Sequence, residues 1–518
     1  MNIHDETFKK LHKAVQFTLA AGYQLDKEAF ELLSKIAETH DLEKVVSEVI
    51  RKMEKAPPKT FFINRQLVEE FISLPQPPQQ KPPTQESKLK TIPIAKTEET
   101  FYPFAKEIPT EIKIIQDPTG KICTAGTLTE YLDYFRDRFK RLEKILRKRV
   151  DLRSSTTIRE ALRARTNTEV RIVCMITEKR ESQKRIIFRI EDLESSATAL
   201  VPQNATKKLQ EKAQQLMLDQ VVCMNVRKTR TNLLIVEDII FPDIPPKPPQ
   251  KTAQKMYAVL ISDLHIGSNK FLYKPFLKFI DWLNGKWGDA SLQEIASHVK
   301  YVLIAGDVVD GIGIYPNQEE ELEIKNIQKQ YELATELLSK IPEHVEIIII
   351  PGNHDGVRKA LPQPAISKEY LQELCETRRI HLLGNPCSIN IHGVEFLLYH
   401  GRSLDDLVST VPDITYDRPD KAMKHLIQSR HLAPLYGGKT PIAPEKRDFL
   451  VIERPPAIFH CGHVHVQASA VYRGTLLINS GTWQEQTEYM KRLGFIPTPG
   501  KVPIVNLQTL QFTTISFY

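Results

Sequence analysis

Ser262-Asp263-Leu264-His265 directly follows the apolar run Tyr257–Ile261, and four more polar blocks in the second half of the chain follow short apolar runs in the same way. The other blocks are Gly306-Asp307-Val308-Val309-Asp310, Gly352-Asn353-His354-Asp355, His400-Gly401 and Gly462-His463-Val464-His465. Short continuous apolar runs suit strands that are buried on both faces. Polar side chains placed just past such strands gather at the carboxyl edge of one sheet, where open α/β folds keep their sites.

The side chains of these blocks are oxygen and nitrogen donors, a mixture that suits Mn, Fe, Zn or Ni more than Ca. Seven of them are candidate metal ligands: Asp263, His265, Asp307, Asn353, His400, His463 and His465. Seven donors are too many for one ion, whereas two divalent ions that share a bridging carboxylate would use them all. Such a pair can activate a water molecule and hold the oxygens of an in-line displacement at phosphorus. A lone residue of this kind after a strand is more often structural, and Asp310 and Asp355 fit that simpler interpretation.

In this order the five blocks resemble the motifs of the calcineurin-like metallophosphoesterases: D-x-H, G-D-x-x-D, G-N-H-D, His-Gly and G-H-x-H. The resemblance implies an α/β metallophosphoesterase domain, built as a layered β-sandwich flanked by helices. It implies that one metal is held by Asp263, His265, Asp307 and His465, and the other by Asp307, Asn353, His400 and His463. Asp307 would then bridge the two ions. Manganese is the expected metal, and Fe, Zn, Ni and Mg are alternatives.

Length and composition limit the class of protein. A chain of 518 residues is too long for one ordinary core, so two to four domains are expected. Its 26% charged and 41% hydrophobic residues are typical of a soluble protein. We find no apolar run of transmembrane length and no signal-peptide core near the N-terminus, which favours a cytoplasmic protein without a membrane partner. The six cysteines form no CxxC pair and are expected to stay as thiols.

The first third of the chain changes character twice. Residues 1–74 carry apolar residues at helical spacing and predict a small helical domain. Residues 75–109 are rich in Pro, Gln, Lys and Thr and predict a flexible linker. Residues 110–166 predict a basic connecting helix region, whose main helix begins with the capping box Thr127 and Glu130. Its stretch 131–165 has twelve Lys/Arg and five Asp/Glu, which indicates either a polyanion-binding stripe or a solvated helix face.

The remaining chain divides at a cluster of prolines near residue 245. Residues 167–245 predict three strands, a helix and two strands, which is the order of an OB-fold barrel. Its aromatic content is low, with Phe188 alone between 169 and 240, so a structural role is favoured over nucleic-acid stacking. Residues 250–518 form the predicted phosphoesterase domain. Within it, residues 412–454 form a long insertion with many basic residues that is expected to hold substrate.

The whole arrangement of helical domain, linker, barrel and phosphoesterase is similar to the small subunits of archaeal family D DNA polymerases and to the B-subunits of eukaryotic replicative polymerases. The segment 431–445 also resembles the family D small subunit. This resemblance implies a 3′→5′ proofreading exonuclease that acts on DNA, at a primer 3′ end or single strand. It also implies a separate large catalytic subunit as partner. His354 would stabilise the transition state or protonate the leaving 3′-oxygen.

Two other functions stay open at this stage. The first is a phosphoesterase that acts on a nucleotide or another small substrate, which an assay on primer–template DNA would distinguish. The second is a scaffold subunit with weak or no catalysis and relict ligands, as in the eukaryotic B-subunits. Metal content together with a nuclease assay would separate a scaffold from an enzyme.

Overall fold

The computed structural model describes residues 10–11, 13–18, 21, 23–37, 42–55, 62–71, 101–182, 185–246 and 248–518. The chain divides into two compact units, Met1–Thr97 and Glu98–Tyr518. Residues 75–100 of the predicted linker lie outside the described residues. Within the described ranges, no helix is long and apolar enough to cross a membrane.

The first unit is a small helical cluster, as its apolar spacing predicts. Its elements are the strands β1 (Gln24–Leu25) and β2 (Phe62–Ile63) and the helices α1 (Lys27–Ile36), α2 (Leu42–Lys55) and α3 (Arg65–Glu69). The two short strands pair in parallel. The carboxylate of Asp26 accepts a hydrogen bond from the backbone N–H of Ala29 at 2.7 Å and caps the N-terminus of α1. Buried aliphatic residues such as Leu33, Val46 and Val49 form the core of this unit.

Residues 101–109 pack on the second unit, although the sequence assigns them to the linker. A 3-10 turn spans Phe104–Glu107, and Ala105 within it is fully buried. The ring of Phe104 stacks on His298 with the centroids 5.1 Å apart, and Phe101 packs against the apolar core. The linker boundary at residue 109 is therefore wrong, whereas the expectation that the aromatic residues at the end of this segment dock on a partner or on the body of the protein agrees with the contacts of Phe101 and Phe104.

The connecting region also contributes to the main fold. It contains β3 (Ile112–Gln116), α4 (Leu128–Arg147), a 3-10 turn (Val150–Leu152) and α5 (Ile158–Arg163). Strand β3 pairs antiparallel with residues 388–391 of the phosphoesterase sheet, so this part of residues 110–166 is a sheet strand and not a connector. Sequence reasoning missed it because a single edge strand carries little periodic signal.

Helix α4 begins with the predicted capping box, in which Thr127 and Glu130 exchange hydrogen bonds. Only the second half of this helix buries its apolar side chains. Phe139, Leu142 and Leu146 are buried, whereas the side chains of Leu128 and Leu132 are 78% and 50% exposed. Burial along the helix starts at Tyr134, because the first turns extend beyond the surface on which the helix packs.

The predicted five-stranded barrel with a helix between its third and fourth strands is confirmed. Its elements are β4 (Glu169–Ser182), β5 (Arg185–Glu191), β6 (Ser196–Val201), α6 (Lys207–Gln215), β7 (Val221–Lys228) and β8 (Leu234–Ile240). The strands close in the order β4-β5-β6-β8-β7. Phe188 lies fully buried in the barrel core and presents no stacking surface. The barrel contacts the phosphoesterase region through Gln220, whose amide donates to the hydroxyl of Ser429 at 2.7 Å.

Two six-stranded sheets form the rest of the second unit. Their further strands are β9 (Tyr257–Ile261), β10 (Val299–Ala305), β11 (Glu346–Ile350), β12 (Ile380–Leu382), β13 (Cys387–Ile391), β14 (Val394–Leu398), β15 (Ile458–Cys461), β16 (Ala468–Tyr472), β17 (Thr475–Asn479), β18 (Lys501–Asn506) and β19 (Phe512–Ser516). The helices are α7 (Tyr273–Leu283), α8 (Ala290–Ser297), α9 (Ile327–Ser339), α10 (Gln372–Thr377), α11 (Leu404–Thr410), α12 (Pro419–Ser429) and α13 (Glu488–Leu493), with 3-10 turns at Gln318–Glu320 and Lys368–Leu371.

The sheets have the orders β12-β11-β10-β9-β18-β19 and β16-β17-β15-β14-β13-β3. Strands β9 to β12 are mutually parallel, and β14, β15 and β17 are parallel in the second sheet. A buried apolar core joins the facing sheets, with Leu260 and Leu303 from one sheet and Phe396 and Ile458 from the other. Helices α7 and α9 cover the outer face of the first sheet. The second unit thus contains the predicted layered sandwich of two β-sheets flanked by helices.

Two predictions within this domain need correction. The residue pattern over 318–338 predicts one continuous helix, but α9 starts at residue 327 and the side chain of Gln318 donates to Asp310 beside the site. The insertion 412–454 is largely buried and not an open loop. Arg430, for example, is buried and donates to the carbonyls of Ile452 and Glu453.

A fully buried ion pair fastens helix α4 to the insertion. The guanidinium of Arg138 donates to Asp448 at 2.9 Å, to the carbonyl of Pro434 at 2.7 Å and to the hydroxyl of Tyr134 at 3.0 Å. The carboxylate of Asp448 also lies 2.8 Å from the imidazole of His431. Burial raises the pKa of Asp448, but His431 and Arg138 outweigh it and the net shift is downward. The basic residues of α4 are therefore partly structural, a role that neither alternative from the sequence, a polyanion-binding stripe or a solvated face, included.

We predict that Arg138→Ala lowers the free energy of unfolding of the second unit by about 3–5 kcal/mol, because it leaves a buried carboxylate without its partner. The matched control is Arg136→Ala on the same helix, whose pair with Asp133 is more than half exposed and should cost no more than about 1 kcal/mol. Denaturant unfolding of both variants measures the difference. Equal losses for the two arginines would contradict a structural role for the buried pair.

Candidate metal centre

The five polar blocks lie at the carboxyl ends of strands, as predicted. Strands β9, β10 and β11 end at residues 261, 305 and 350, and β14 and β15 end at 398 and 461. Five of the candidate ligands have a left-handed backbone, with φ between 51° and 73°: Asp263, His265, Asp307, His463 and His465. This conformation costs a non-glycine residue about 1–3 kcal/mol and clusters at functional sites. The turns that follow these strands therefore have strained backbones, which direct the five side chains toward the same region.

Asp263, His265 and His465 form the first group of donors. The Nε2 atoms of the two imidazoles lie 3.0 Å apart, and the carboxylate Oδ1 of Asp263 lies 3.4 Å from the Nε2 of His465. The Nδ1 of His265 is 2.9 Å from the carboxylate of Asp310. Because that contact requires a proton on Nδ1, the Nε2 of the neutral ring presents a lone pair to the group.

Asp307, Asn353, His400 and His463 form the second group. The Nε2 of His400 lies 3.2 Å from the carboxylate Oδ2 of Asp307 and 3.0 Å from the amide oxygen of Asn353. The Nδ1 of His400 donates to the carbonyl of Ala305 at 2.8 Å, which leaves Nε2 as an acceptor in the neutral ring. Potential ligand atoms of Asp307, His400 and His463 all lie within 4.8 Å of one another.

One carboxylate oxygen belongs to both groups. The Oδ2 of Asp307 lies 3.2 Å from the Nε2 of His400 and 3.9 Å from the Nε2 of His265. The other oxygen, Oδ1, accepts the backbone N–H of His354 at 2.8 Å. The seven predicted donors are thus brought together as two groups that share Asp307, which is the arrangement that a pair of ions with a bridging carboxylate requires.

The donor set fits divalent metals. In each group, buried acceptor atoms lie about 3–4 Å from one another, and no hydrogen-bond donor lies between them. Such close acceptors repel one another unless a cation lies between them. Without a metal, a proton takes that place: burial lowers the pKa of His400, but Asp307 raises it more, to about 9. Imidazole and carboxylate donors suit Mn, Fe, Zn and Ni.

Asp310 and Asp355 hold the candidate metal ligands in position, which agrees with their interpretation from the sequence as structural residues. The carboxylate of Asp310 bonds to His265 and accepts hydrogen bonds from the amides of Gln318 and Gln484. The carboxylate of Asp355 accepts the backbone N–H groups of Asp307, Val308 and Gly352, with distances of 2.8–3.1 Å. Partners of this kind fix the orientation of metal ligands and are expected around such sites.

Asp405 is a supporting residue that sequence reasoning missed. Its carboxylate Oδ2 lies 3.0 Å from the Nε2 of His463, so Nε2 donates and Nδ1 of that ring carries the lone pair. Burial raises the pKa of Asp405, but His463 lowers it more, to about 2. Asp405 lies in α11, outside all five blocks, and no motif or spacing marks it.

His354 lies beside both groups. Its Nδ1 donates to the carbonyl of Asp310 at 2.7 Å, and its Nε2 lies 4.0 Å from the Oδ2 of Asp307. Burial lowers the pKa of His354 to about 4, against the opposing effect of Asp307. The neutral ring therefore carries its proton on Nδ1, and a donor role for Nε2 requires the ring to gain a second proton.

Two glycines of the blocks permit this close packing. A Cβ atom on Gly352 would lie 2.1 Å from the carboxylate Oδ1 of Asp307. A Cβ atom on Gly462 would lie 2.3 Å from the hydroxyl of Ser262 and 2.5 Å from the carboxylate of Asp263. Any side chain at these positions would displace a ligand, which explains the glycine in two of the blocks in physical terms.

A cavity of about 460 Å³ opens on the two groups. Its ligand wall contains His265, Asp307, Asn353, His463 and His465. The other walls contain His354, the charged side chains of Arg402, Asp405 and Lys439, and apolar or aromatic side chains that include Tyr416, Met490 and Phe495. The insertion thus supplies Lys439 and Tyr416 to the cavity. Of its other basic residues, Arg430 and His431 are buried in the packing, whereas the side chains at positions 418, 421, 424, 446 and 447 are exposed.

Comparison with known proteins identifies the family. Residues 258–470 match the family model of the B-subunits of DNA polymerases alpha and epsilon. The DNA polymerase II small subunit of Archaeoglobus fulgidus is 38% identical over 489 residues, which cover 94% of this chain and 94% of that protein. The corresponding subunit of Methanothermobacter thermautotrophicus is 36% identical and covers 93% and 96%. That of Methanocaldococcus jannaschii is 41% identical over 78% of this chain and 68% of its own.

Among solved structures, an archaeal phosphodiesterase aligns with 50% of this chain and 99% of its own at a TM-score of 0.26 and 17% identity, a similarity too low to argue from. The sequence relatives are sufficient by themselves, since identity of 36–38% extends over almost the full length of both chains in two of them. The chain therefore belongs to the family of DNA polymerase II small subunits.

Proposed function

We propose that this protein is a 3′→5′ exonuclease that removes nucleotides from DNA at a centre of two divalent metal ions. The observation that carries the proposal is the convergence of seven donors into two groups joined by one oxygen of Asp307. One ion would be held by Asp263, His265, Asp307 and His465, and the other by Asp307, Asn353, His400 and His463. Such ions supply Lewis acidity and lower the pKa of water, with manganese the preferred metal.

The residues of the chain have separate tasks in this proposal. Arg402 and Lys439 attract the phosphodiester backbone at the cavity, since both line it and carry positive charge. Asp310 and Asp405 orient His265 and His463 through the contacts at 2.9 and 3.0 Å. His354 lines the cavity with its Nδ1 held by the carbonyl of Asp310, and it acts at the departing 3′-oxygen through Nε2 when the ring has gained its second proton.

Polymerisation is assigned to a separate large subunit, because the relatives are named small subunits of a DNA polymerase. The barrel, which we interpret as an OB-fold, serves as a structural element of this assembly, since its described aromatic residue Phe188 is buried. The scaffold alternative predicts no bound metal and no nuclease. The buried acceptor atoms that lie close together favour the exonuclease over the scaffold, because without a metal they would lower the stability of the fold.

Asp307→Ala should lower the exonuclease rate by more than about 10²-fold and reduce the amount of bound metal, because Asp307 reaches both groups of donors. Loss of a residue that only supports a metal ligand already costs about 10- to 100-fold in metal affinity or activity. Hydrolysis of a 3′-labelled oligonucleotide with Mn²⁺ and metal analysis of the purified protein measure the two effects. Asp281→Ala, at an exposed position of α7, is the control and should keep full activity. Substantial residual activity of Asp307→Ala would exclude the bridging role.

His354→Ala and His400→Ala should separate chemistry from metal binding. His354→Ala should keep both metals and lose about 10²- to 10⁴-fold in rate, the range for one acid–base group. His400→Ala should lower metal occupancy. A substrate with a better leaving group should rescue His354→Ala more than His400→Ala, because only the former lacks help at the departing oxygen. Equal metal loss in both variants would make His354 a ligand or its support.

Asp405→Asn should weaken metal binding by about 10- to 100-fold while leaving the maximal rate at saturating Mn²⁺ less affected, because its carboxylate orients His463 but touches no reacting atom. A titration of activity and of bound Mn²⁺ against metal concentration gives both numbers. The exposed Asp413, changed to Asn, is the matched control from the neighbouring insertion. An unchanged metal titration for Asp405→Asn would refute its positioning role.

A further inference from the structure

An aromatic pair forms one side of the cavity above the metal centre. The rings of Tyr416 and Phe495 stack with their centroids 5.4 Å apart and an interplanar angle of 26°. Tyr416 comes from the insertion, and Phe495 comes from the segment after α13, so elements about eighty residues apart in the chain meet at this point. Met490, which is buried, lines the same side.

The pair is connected to the metal centre. The hydroxyl of Tyr416 donates to the carboxylate Oδ1 of Asp405 at 3.1 Å, and Oδ2 of the same carboxylate holds His463. The cavity therefore has an aromatic wall beside a wall of metal ligands, and Arg402 and Lys439 lie along it. A molecule that fills this cavity is expected to combine an aromatic surface with an anionic group that reaches the metal centre.

A nucleotide has this combination of groups. Its base is a flat π-surface that stacks on aromatic side chains, and its phosphate is an anion that cationic side chains such as Arg402 and Lys439 and divalent metal ions attract. A cavity of about 460 Å³ lies in the size range of small-molecule sites, roughly 300–1,000 Å³, and suits a single nucleotide unit more than a paired duplex end.

We infer that the Tyr416–Phe495 pair binds the base of the terminal nucleotide while its phosphodiester lies at the metal ligands. This inference rests on the proposed function and specifies its substrate. A base held here has left the stack of the DNA helix, so the site takes a terminal nucleotide that is unpaired. The site should therefore select unpaired ends, because a paired terminal base must first be separated from its partner and from the neighbouring base, and this separation costs free energy.

Phe495 is the residue to vary, because its apolar side chain forms no hydrogen bond, whereas the hydroxyl of Tyr416 donates to Asp405. Phe495→Leu keeps an apolar side chain but removes the ring, and Phe495→Tyr keeps the ring. Ile496→Ala is the matched control, since this neighbouring side chain is 78% exposed and is not among those that line the cavity.

The experiment compares two single-stranded oligonucleotides that differ only at the 3′ terminus, one with a natural adenosine residue and one with an abasic tetrahydrofuran residue. With Mn²⁺, the wild-type protein should cleave the natural terminus about 5- to 150-fold more efficiently in kcat/KM, the range for one stacked base. Phe495→Leu should lose this preference, while Phe495→Tyr and Ile496→Ala should keep it. The abasic substrate should react equally with all four proteins.

A second readout needs no catalysis. The fluorescence of a 3′-terminal 2-aminopurine should be quenched by the wild-type protein and by Phe495→Tyr in the presence of EDTA, and not by Phe495→Leu. The inference is overturned if the wild-type protein does not distinguish the two termini, or if Phe495→Leu slows both substrates equally. If the wild-type protein cleaves neither substrate, the proposed exonuclease itself is overturned and this inference with it.

Discussion

The carboxylate of Asp355 is the interaction on which the centre of this protein depends. Its two oxygens accept backbone N–H groups from the ends of both β10 and β11, and the hydroxyl of Tyr331 in α9 donates to it as well. Burial raises the pKa of Asp355 to about 6, as does the charge of Asp307, although the backbone hydrogen bonds oppose the shift. A buried charge is tolerated only where such donors surround it, so the turns that carry Asp307 and Asn353 cannot move apart without leaving this carboxylate unpaired.

The same principle explains why the site is rigid. The ligand turns have left-handed backbones and close glycine contacts, which cost free energy that the chain does not recover locally. The apolar core between the two sheets and the helices on their outer faces supply the stability that offsets this cost. Supporting carboxylates hold two of the imidazoles in one tautomer, as Asp310 does for His265 and Asp405 for His463, and the carbonyl of Ala305 does the same for His400. The lone pairs of each group of donors are therefore oriented toward one another before a metal ion binds.

The walls of the cavity have a different origin. The insertion is packed against the second sheet and α4 through a buried apolar cluster, and the Arg138–Asp448 pair fastens it there. This packing places Tyr416 and Lys439 beside the metal ligands, where a loose loop would not hold them. The basic composition of the insertion is therefore partly a consequence of fold stability, since Arg430 and His431 satisfy buried partners. Substrate selectivity in the proposed exonuclease depends on this framework as much as on the ligands themselves.

The local sequence determined the features whose physics is local. Apolar runs marked the strands, the polar residues after them marked the strand ends, and Thr127 with Glu130 marked the start of α4. The seven proposed ligands could be named because each follows its strand directly. Only the tertiary structure decided the burial of Arg138, the exposure of Leu128 and the pairing of β3 with β13. It also decided the contact of Asp405 with His463 and the stacking of Phe495 on Tyr416. Each of these depends on contacts between segments far apart in the chain, and no propensity or period within one segment encodes which remote surface it will meet.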